Sequence, residues 1–197
     1  MAPSSMSAAV PMRPRSPELA AYVGMLIFLS AWAMTFAALF FSYAVVRSQT
    51  MSWPPAGSER LPMALPALNT ALLLLSSFTF HRAFTRVRSG QSLLGSLAAT
   101  IGLGAAFLAL QTVVWFQVYH SGLHPSSAGN YGSVFYALTV FHGLHVAFAL
   151  LWALYLVPGA FAGKYTARKH TAVRMAAMFW HFVDAIWVVM FFSVYVF

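Results

Sequence analysis

The sequence predicts an all-α fold, an integral membrane bundle of five transmembrane helices. Hydrophobic residues make up 60% of the 197 residues, charged residues make up 7%, and the mean hydropathy is +0.74. Water-soluble domains need roughly a quarter of their residues charged to cover their surface. Because five long apolar segments also alternate with short polar loops, we expect the chain to lie in lipid.

Each apolar segment is long enough to cross a bilayer, since about 20 helical residues span about 30 Å of hydrocarbon. The segments cover residues 19–46, 66–84, 92–119, 132–157 and 173–196. Residues 1–17 are rich in proline, serine and alanine and predict a flexible tail, which leaves residues 18–197 as the transmembrane domain. The first segment is too long for the apolar part of a signal peptide, so we interpret it as a retained helix.

The basic residues predict the orientation of the helices, because Lys and Arg are retained on the cytoplasmic side. One set of loops carries most of them: Arg13, Arg15, Arg82, Arg86, Arg88, Lys164, Arg168, Lys169 and Arg174. The opposite loops carry only Arg47 and Arg60. We therefore expect the N-terminus inside and the C-terminus outside.

Several classes of function are disfavoured by composition. The formal net charge is +8, but the basic residues lie in short loops rather than on a folded patch, so we expect no nucleic acid as a partner. The absence of cysteine from the sequence excludes disulfides, thiolate zinc sites and iron–sulfur clusters. No nucleophile elbow, P-loop or glycine fingerprint occurs, so a self-contained enzyme is not expected.

The third segment carries small residues on one helical face, at Gly95, Ala99, Gly102, Ala106 and Ala109. Small side chains allow another backbone to approach closely, so we expect this face to pack on protein.

Polar side chains are costly inside a membrane and usually face protein or a water-filled cavity. His142 and His145 are three residues apart on the fourth segment, and His181 and Asp184 are three apart on the fifth. Each pair shares a helix face near the middle of the bilayer, so two antiparallel neighbours could unite all four in a buried cluster. We expect Asp184 to be neutral or to share a proton with an imidazole. Asn69 and Gln111 are secondary polar positions.

The cluster has three open interpretations: a clamp that locks the last two helices, a contact with lipid headgroups or a partner subunit, and a proton relay. A bis-histidine haem is conceivable because HGLH places two histidines on one face. One carboxylate and three mid-membrane histidines are few ligands for zinc or a di-iron centre. We therefore expect no metal, no cofactor-binding site and no catalytic residue in this chain.

Two segments resemble subunit III of the haem-copper respiratory oxidases, the cytochrome c and quinol oxidases. They are NYGSVFYALTVFHGLHV at residues 130–146, which includes Tyr131 and Gly132, and FWHFVDAIW at residues 179–187, which includes Trp180. Further similarity lies in YVGMLIFLS at 22–30, PALNTALLLLSS at 66–77 and LALQ at 108–111. The resemblance covers about residues 22–197 and is to the shorter bacterial form with five helices.

The resemblance implies a non-catalytic subunit of a terminal oxidase in aerobic respiration, located in the bacterial inner (plasma) membrane. Such a subunit packs on subunit I, beside subunit II and a small subunit IV, binds phospholipid, and supports assembly, stability and proton delivery. Haem and copper are then expected in the partner subunits.

The sequence departs from the family at two acidic positions. The family commonly has a glutamate after the serine of the first shared helix and another three residues after the glutamine of the third, whereas this chain has Ala31 and Val114. The departures place a proton-related role in doubt. They favour one alternative, an accessory protein of a nitric oxide reductase or other respiratory complex. A second alternative, from another class, is an independent proton channel or transporter built around the His–Asp cluster.

Overall fold

Five α-helices form the computed structural model, which describes residues 17–49, 63–124 and 129–196. They are α1 (Pro17–Ser48), α2 (Ala64–Arg88), α3 (Leu94–His120), α4 (Gly129–Phe161) and α5 (Thr171–Met190), and α5 continues into a π-helical turn, Phe191–Val196. All five are long and apolar enough to cross a membrane. The predicted fold class is confirmed. The predicted tail lies outside the described residues, apart from Pro17, which begins α1.

The ends of α2 and α4 are set by glycine. Gly90 and Gly163 have φ angles of 71° and 64°, a left-handed conformation that costs glycine little. After α2 the amides of Gly90 and Gln91 donate to the carbonyls of Val87 and Arg86, and Gly163 and Lys164 form the same pair of bonds after α4. These are Schellman turns, which satisfy carbonyls that a helix end leaves without donors.

Side-chain contacts show which loops share an end of the bundle. At one end the Arg174 guanidinium lies 4.6 Å from the centroid of the Tyr22 ring, and the rings of Phe84 and His170 are 5.8 Å apart. The start of α1, the end of α2 and the α4–α5 turn therefore lie together, as the alternation of basic loops predicts. The side of the membrane that this end faces stays a prediction.

The opposite end is joined by hydrogen bonds between α1 and the π-helical turn. Tyr43 donates its hydroxyl to the Ser193 carbonyl at 2.8 Å, and Arg47 Nη1 donates to the same oxygen at 3.4 Å. Carbonyls in a last turn have no intrahelical donor, so α1 supplies one.

The span that contains α5 is the most deeply buried of the five, and α5 packs against α1, α2 and α4. Its buried side chains, including Val173, Trp180 and Trp187, recur at three- and four-residue spacing. In contrast, the buried residues of α1 are Met25, Phe36 and Tyr43 alone. Most of the α1 surface therefore faces lipid or another protein.

α3 packs against α2 and α4 through a face different from the one that carries its stripe of small residues. Gly95, Ala99, Gly102 and Ala109 are exposed, and a Cβ added at Gly95 or Gly102 would have open space around it. The face is therefore open in this chain, and its packing on another protein stays a prediction.

The buried glycine of α3 is Gly104, where an added Cβ would lie 2.6 Å from Cη2 of Trp180. The difference arises because the larger side chains of Leu97, Phe107 and Gln111, which share a face with Gly104, turn that face inward. Gly104 therefore makes room for the α5 indole.

Candidate functional site

Polar side chains gather at the middle of the helices. Ser76 lies at the centre of α2, His145 at the centre of α4, and Asp184 at the centre of the span Thr171–Val196. All three are buried. We call this level of the bundle, with the neighbouring Ser77, His142 and His181, the polar layer. Because lipid offers no hydrogen bonds, each group in it needs a partner from protein or pays a desolvation cost.

His181 and Asp184 meet at Ser77 of α2. The Ser77 hydroxyl forms a hydrogen bond of 2.5 Å with His181 Nδ1. It is also near enough to Asp184 to interact with its carboxyl group, but neither carboxyl oxygen has a partner at hydrogen-bond geometry. Of the two expected forms of Asp184, the one that shares a proton with an imidazole is therefore not formed.

The two histidines of α4 have aromatic surroundings. His142 is 0% exposed, neither of its ring nitrogens has a hydrogen-bond partner, and its ring lies 5.3 Å from Trp187. His145 donates from Nδ1 to the Phe141 carbonyl at 2.7 Å. Within the described residues no hydrogen bond joins either of them to His181 or Asp184. The two pairs lie at one level but form no single hydrogen-bonded cluster.

The secondary polar positions are used between helices. Asn69 Nδ2 donates to Gln111 Oε1 at 3.1 Å, and both side chains are fully buried, so the pair joins α2 to α3. Trp180 Nε1 donates to Ser76 Oγ at 3.0 Å and joins α5 to α2. Tyr131 and Gly132, at the start of α4, are buried.

Sequence reasoning missed the hydroxyl groups that receive indole hydrogen bonds. Besides the Ser76 bond, Trp187 Nε1 donates to Thr70 Oγ1 at 2.9 Å and Trp115 Nε1 donates to Thr139 Oγ1 at 3.1 Å. The sequence did indicate the hydroxyl groups of α2, since Ser76 and Ser77 directly follow a run of four leucines in the middle of the helix. Ser and Thr were overlooked because their hydroxyls can also bond to their own helix.

The two departures from the family acids have different environments. Val114 is 0% exposed in the core, so a glutamate there would face the helices of this chain. Ala31 is exposed on α1 beside Trp32. Among the described residues no three His, Asp or Glu side chains are placed to hold a metal ion.

Five helices long and apolar enough to cross a membrane, joined by buried polar pairs, define a multi-pass membrane protein. The family model described as "Cytochrome c oxidase subunit III" matches residues 18–197, and the chain belongs to this family. It is a subunit III of the haem-copper oxidases and so part of an oxidoreductase complex that contains other oxidase subunits.

Similar proteins come from respiratory oxidases of both electron-donor types. Cytochrome c oxidase subunit 3 of Synechocystis sp. is 36% identical over 182 residues, which cover 91% of this chain and 76% of the relative. The probable cytochrome c oxidase subunit 3 of Nocardia farcinica is 38% identical over 88% of this chain and 86% of its own length. Cytochrome bo(3) ubiquinol oxidase subunit 3 of Pseudomonas putida is 33% identical over 88% and 84%, respectively.

Proposed function

We propose that the chain is the non-catalytic subunit III of an oxygen-reducing oxidase in a bacterial inner (plasma) membrane, where it supports assembly and stability. The observation that carries this proposal is the use of the interior polar groups. Three hydrogen bonds join α5 to α2, from Trp180 to Ser76, from Trp187 to Thr70 and between His181 and Ser77. These groups hold helices together, which is a structural use.

The expected partner surface is the small-residue face of α3, formed by the exposed Gly95, Ala99, Gly102 and Ala109 and the half-buried Ala106. Small residues let a neighbouring helix approach closely and gain packing contacts that lipid tails do not give. We propose that a helix of another oxidase subunit packs here. Subunit I is the expected neighbour, with subunit II and a small subunit IV in the same complex.

Haem and copper belong, in this proposal, to the partner subunits, and this chain holds phospholipid. A groove of about 580 Å³ at the Ser193 end of the bundle supports lipid binding. Its walls include Ala37, Phe40 and Val189, and Tyr43 and Arg47 lie at its polar part. Apolar walls beside a guanidinium suit an acyl chain and its phosphate.

Support of proton delivery rests on one acid. Asp184 is the only carboxyl group within the polar layer of the described residues, and Ala31 and Val114 replace the two acids that the family commonly has. Assembly and lipid binding are therefore the main roles that we propose, and proton delivery is secondary.

Co-purification tests the proposal. The chain carries an affinity tag at its C-terminus in its native host, and the membranes are solubilised in a mild detergent. Recovery with a haem-copper subunit I that reduces oxygen is the expected result. Recovery only with a nitric oxide reductase would contradict it and support an accessory role there. Selective, Asp184-dependent proton flux by the chain alone in liposomes would instead favour a channel or transporter.

A further inference from the structure

A groove between α1, α4 and α5 has a volume of about 470 Å³, within the range of roughly 300–1,000 Å³ of small-molecule sites. Its walls are largely aromatic, and two side chains in it carry polar atoms. The lining includes Phe28, Phe141, Phe148 and Phe179, together with Trp32 and His145. Phe148 is 51% exposed, so the groove opens on the lipid-facing surface of the bundle.

The two polar side chains lie at the depth of the bilayer centre. Trp32 is at the middle of α1 (Pro17–Ser48), and His145 is at the middle of α4 (Gly129–Phe161). Phospholipid headgroups lie at the two interfaces, so only their acyl chains reach this depth. A ligand that pairs with these polar atoms must be neutral and soluble in the hydrocarbon core.

Trp32 and His145 present one donor and one acceptor. The Phe141 carbonyl can only accept a hydrogen bond, so His145 Nδ1 carries a proton and donates, and in the tautomer protonated at Nδ1 the other nitrogen, Nε2, is an acceptor. The Trp32 indole can only donate. The two rings are 4.3 Å apart at 81°, and within the described chain neither Trp32 Nε1 nor His145 Nε2 forms a hydrogen bond.

A donor beside an acceptor is the complement of a hydroxyl group, which accepts one hydrogen bond and donates another. We propose that this groove binds the hydroquinone head of an isoprenoid quinol. One ring hydroxyl donates to His145 Nε2 and accepts from Trp32 Nε1, and the aromatic walls pack on the hydroquinone ring. The proposal concerns binding only and does not depend on which partner subunits the chain contacts.

The groove favours this occupant over a phospholipid. None of its lining side chains is a Lys or Arg, so a phosphate would have no cation there. An acyl chain would fill the apolar space but leave the indole donor and the imidazole acceptor without partners. A neutral aromatic ring with hydroxyl groups satisfies both the walls and the polar pair.

The test uses the full chain in phosphatidylcholine nanodiscs free of quinone, kept anaerobic, with ¹⁵N-labelled tryptophan. A short-chain benzohydroquinone is titrated while the indole N–H signals are followed by NMR, and the Trp32 signal is assigned with Trp32→Phe. We expect the Trp32 signal to shift and saturate. The signal of Trp115, whose N–H is bonded to Thr139, is the internal control and should stay in place.

Two comparisons make the result decisive. The dimethyl ether of the same hydroquinone lacks the donor for His145 and should bind about tenfold more weakly, as should the hydroquinone to His145→Phe. The ether comparison uses the wild-type chain, so it does not depend on the folding of a variant. A shift that never saturates, equal shifts of all indoles, or equal affinities for hydroquinone and ether would overturn the proposal and leave the groove to lipid tails.

Discussion

At the scale of single residues, Asp184 combines deep burial with the lack of a hydrogen-bond donor. The side chain is 4% exposed, and neither oxygen has a hydrogen-bond partner among the residues that the structure describes. An ionised carboxylate in that environment would cost several kcal/mol, so we expect the neutral form.

Asp184→Asn should therefore be tolerated, because a carboxamide has nearly the shape of a protonated carboxyl group and is neutral. We expect the amount of assembled oxidase, measured by haem content after tag purification, to equal that of the wild type. Loss of the complex in Asp184→Asn would show that the ionised form is required, and Asp184→Leu serves as the variant that also changes shape.

Gly102 and Gly104 of α3 differ in burial and give a matched pair of substitutions, since Gly102 is exposed and Gly104 is buried. Gly104→Ala places a Cβ against Trp180 and should lower the free energy of unfolding by about 1–3 kcal/mol, the usual cost of overpacking. Gly102→Ala meets open space and should be neutral or slightly stabilising. Thermal denaturation of the two variants in detergent measures the difference, and equal stabilities would contradict the packing described for Gly104.

At the scale of the helices, α2 and α5 are joined through hydroxyl groups rather than through the acid. A double-mutant cycle with Trp180→Phe and Ser76→Ala isolates one of these bonds. Interhelical hydrogen bonds in membranes contribute about 0.6 kcal/mol on average and at most about 1.7 kcal/mol. We expect a coupling energy in that range from unfolding in mixed micelles. A coupling of zero would mean that the bond does not stabilise the pair.

The exposed face of α3 provides a test of partner contact that leaves the bundle intact. Gly102→Leu should preserve the stability of the chain, since the site has open space, and should reduce recovery of the other oxidase subunits severalfold. Blue-native electrophoresis of solubilised membranes measures this recovery. As a control, Leu144→Ala removes a side chain that is 63% exposed on α4 and lines the groove between α1, α4 and α5, which has no lining residue from α3, and it should not affect recovery.

The existence and limits of the helices followed from hydropathy, but their rotation about their axes did not. α1, α3 and α4 are apolar on nearly all sides, so the pattern of hydrophobic residues does not indicate which side faces the core. This is why hydropathy did not indicate which face of α3 packs inside the chain, or that Ser77, rather than an imidazole of α4, lies beside Asp184. The shared depth of the three histidines and Asp184 could be predicted, because the depth of a residue depends only on its distance from the helix ends.

At the scale of the whole molecule, the distribution of basic residues predicts the side of the membrane that each loop faces. The sequence has no cysteine, so a single introduced thiol reports its own accessibility. Ser121→Cys, between α3 and α4, should react with a membrane-impermeant maleimide added to intact spheroplasts. Ser89→Cys, between α2 and α3, should react only after permeabilisation. The reverse pattern would invert the orientation and leave the fold unchanged.

The position of α5 also determines when the bundle can be completed during synthesis. α2 and α3 are neighbours in sequence and pack against each other, so they can pair as soon as both have left the ribosome. α1 packs on α4 and α5, which are made after α2 and α3. α1 must therefore remain in the bilayer, nearly unpartnered by its own chain, until α4 and α5 have been inserted. During that interval a premature stop or a slow final segment would expose α1 to quality-control proteases.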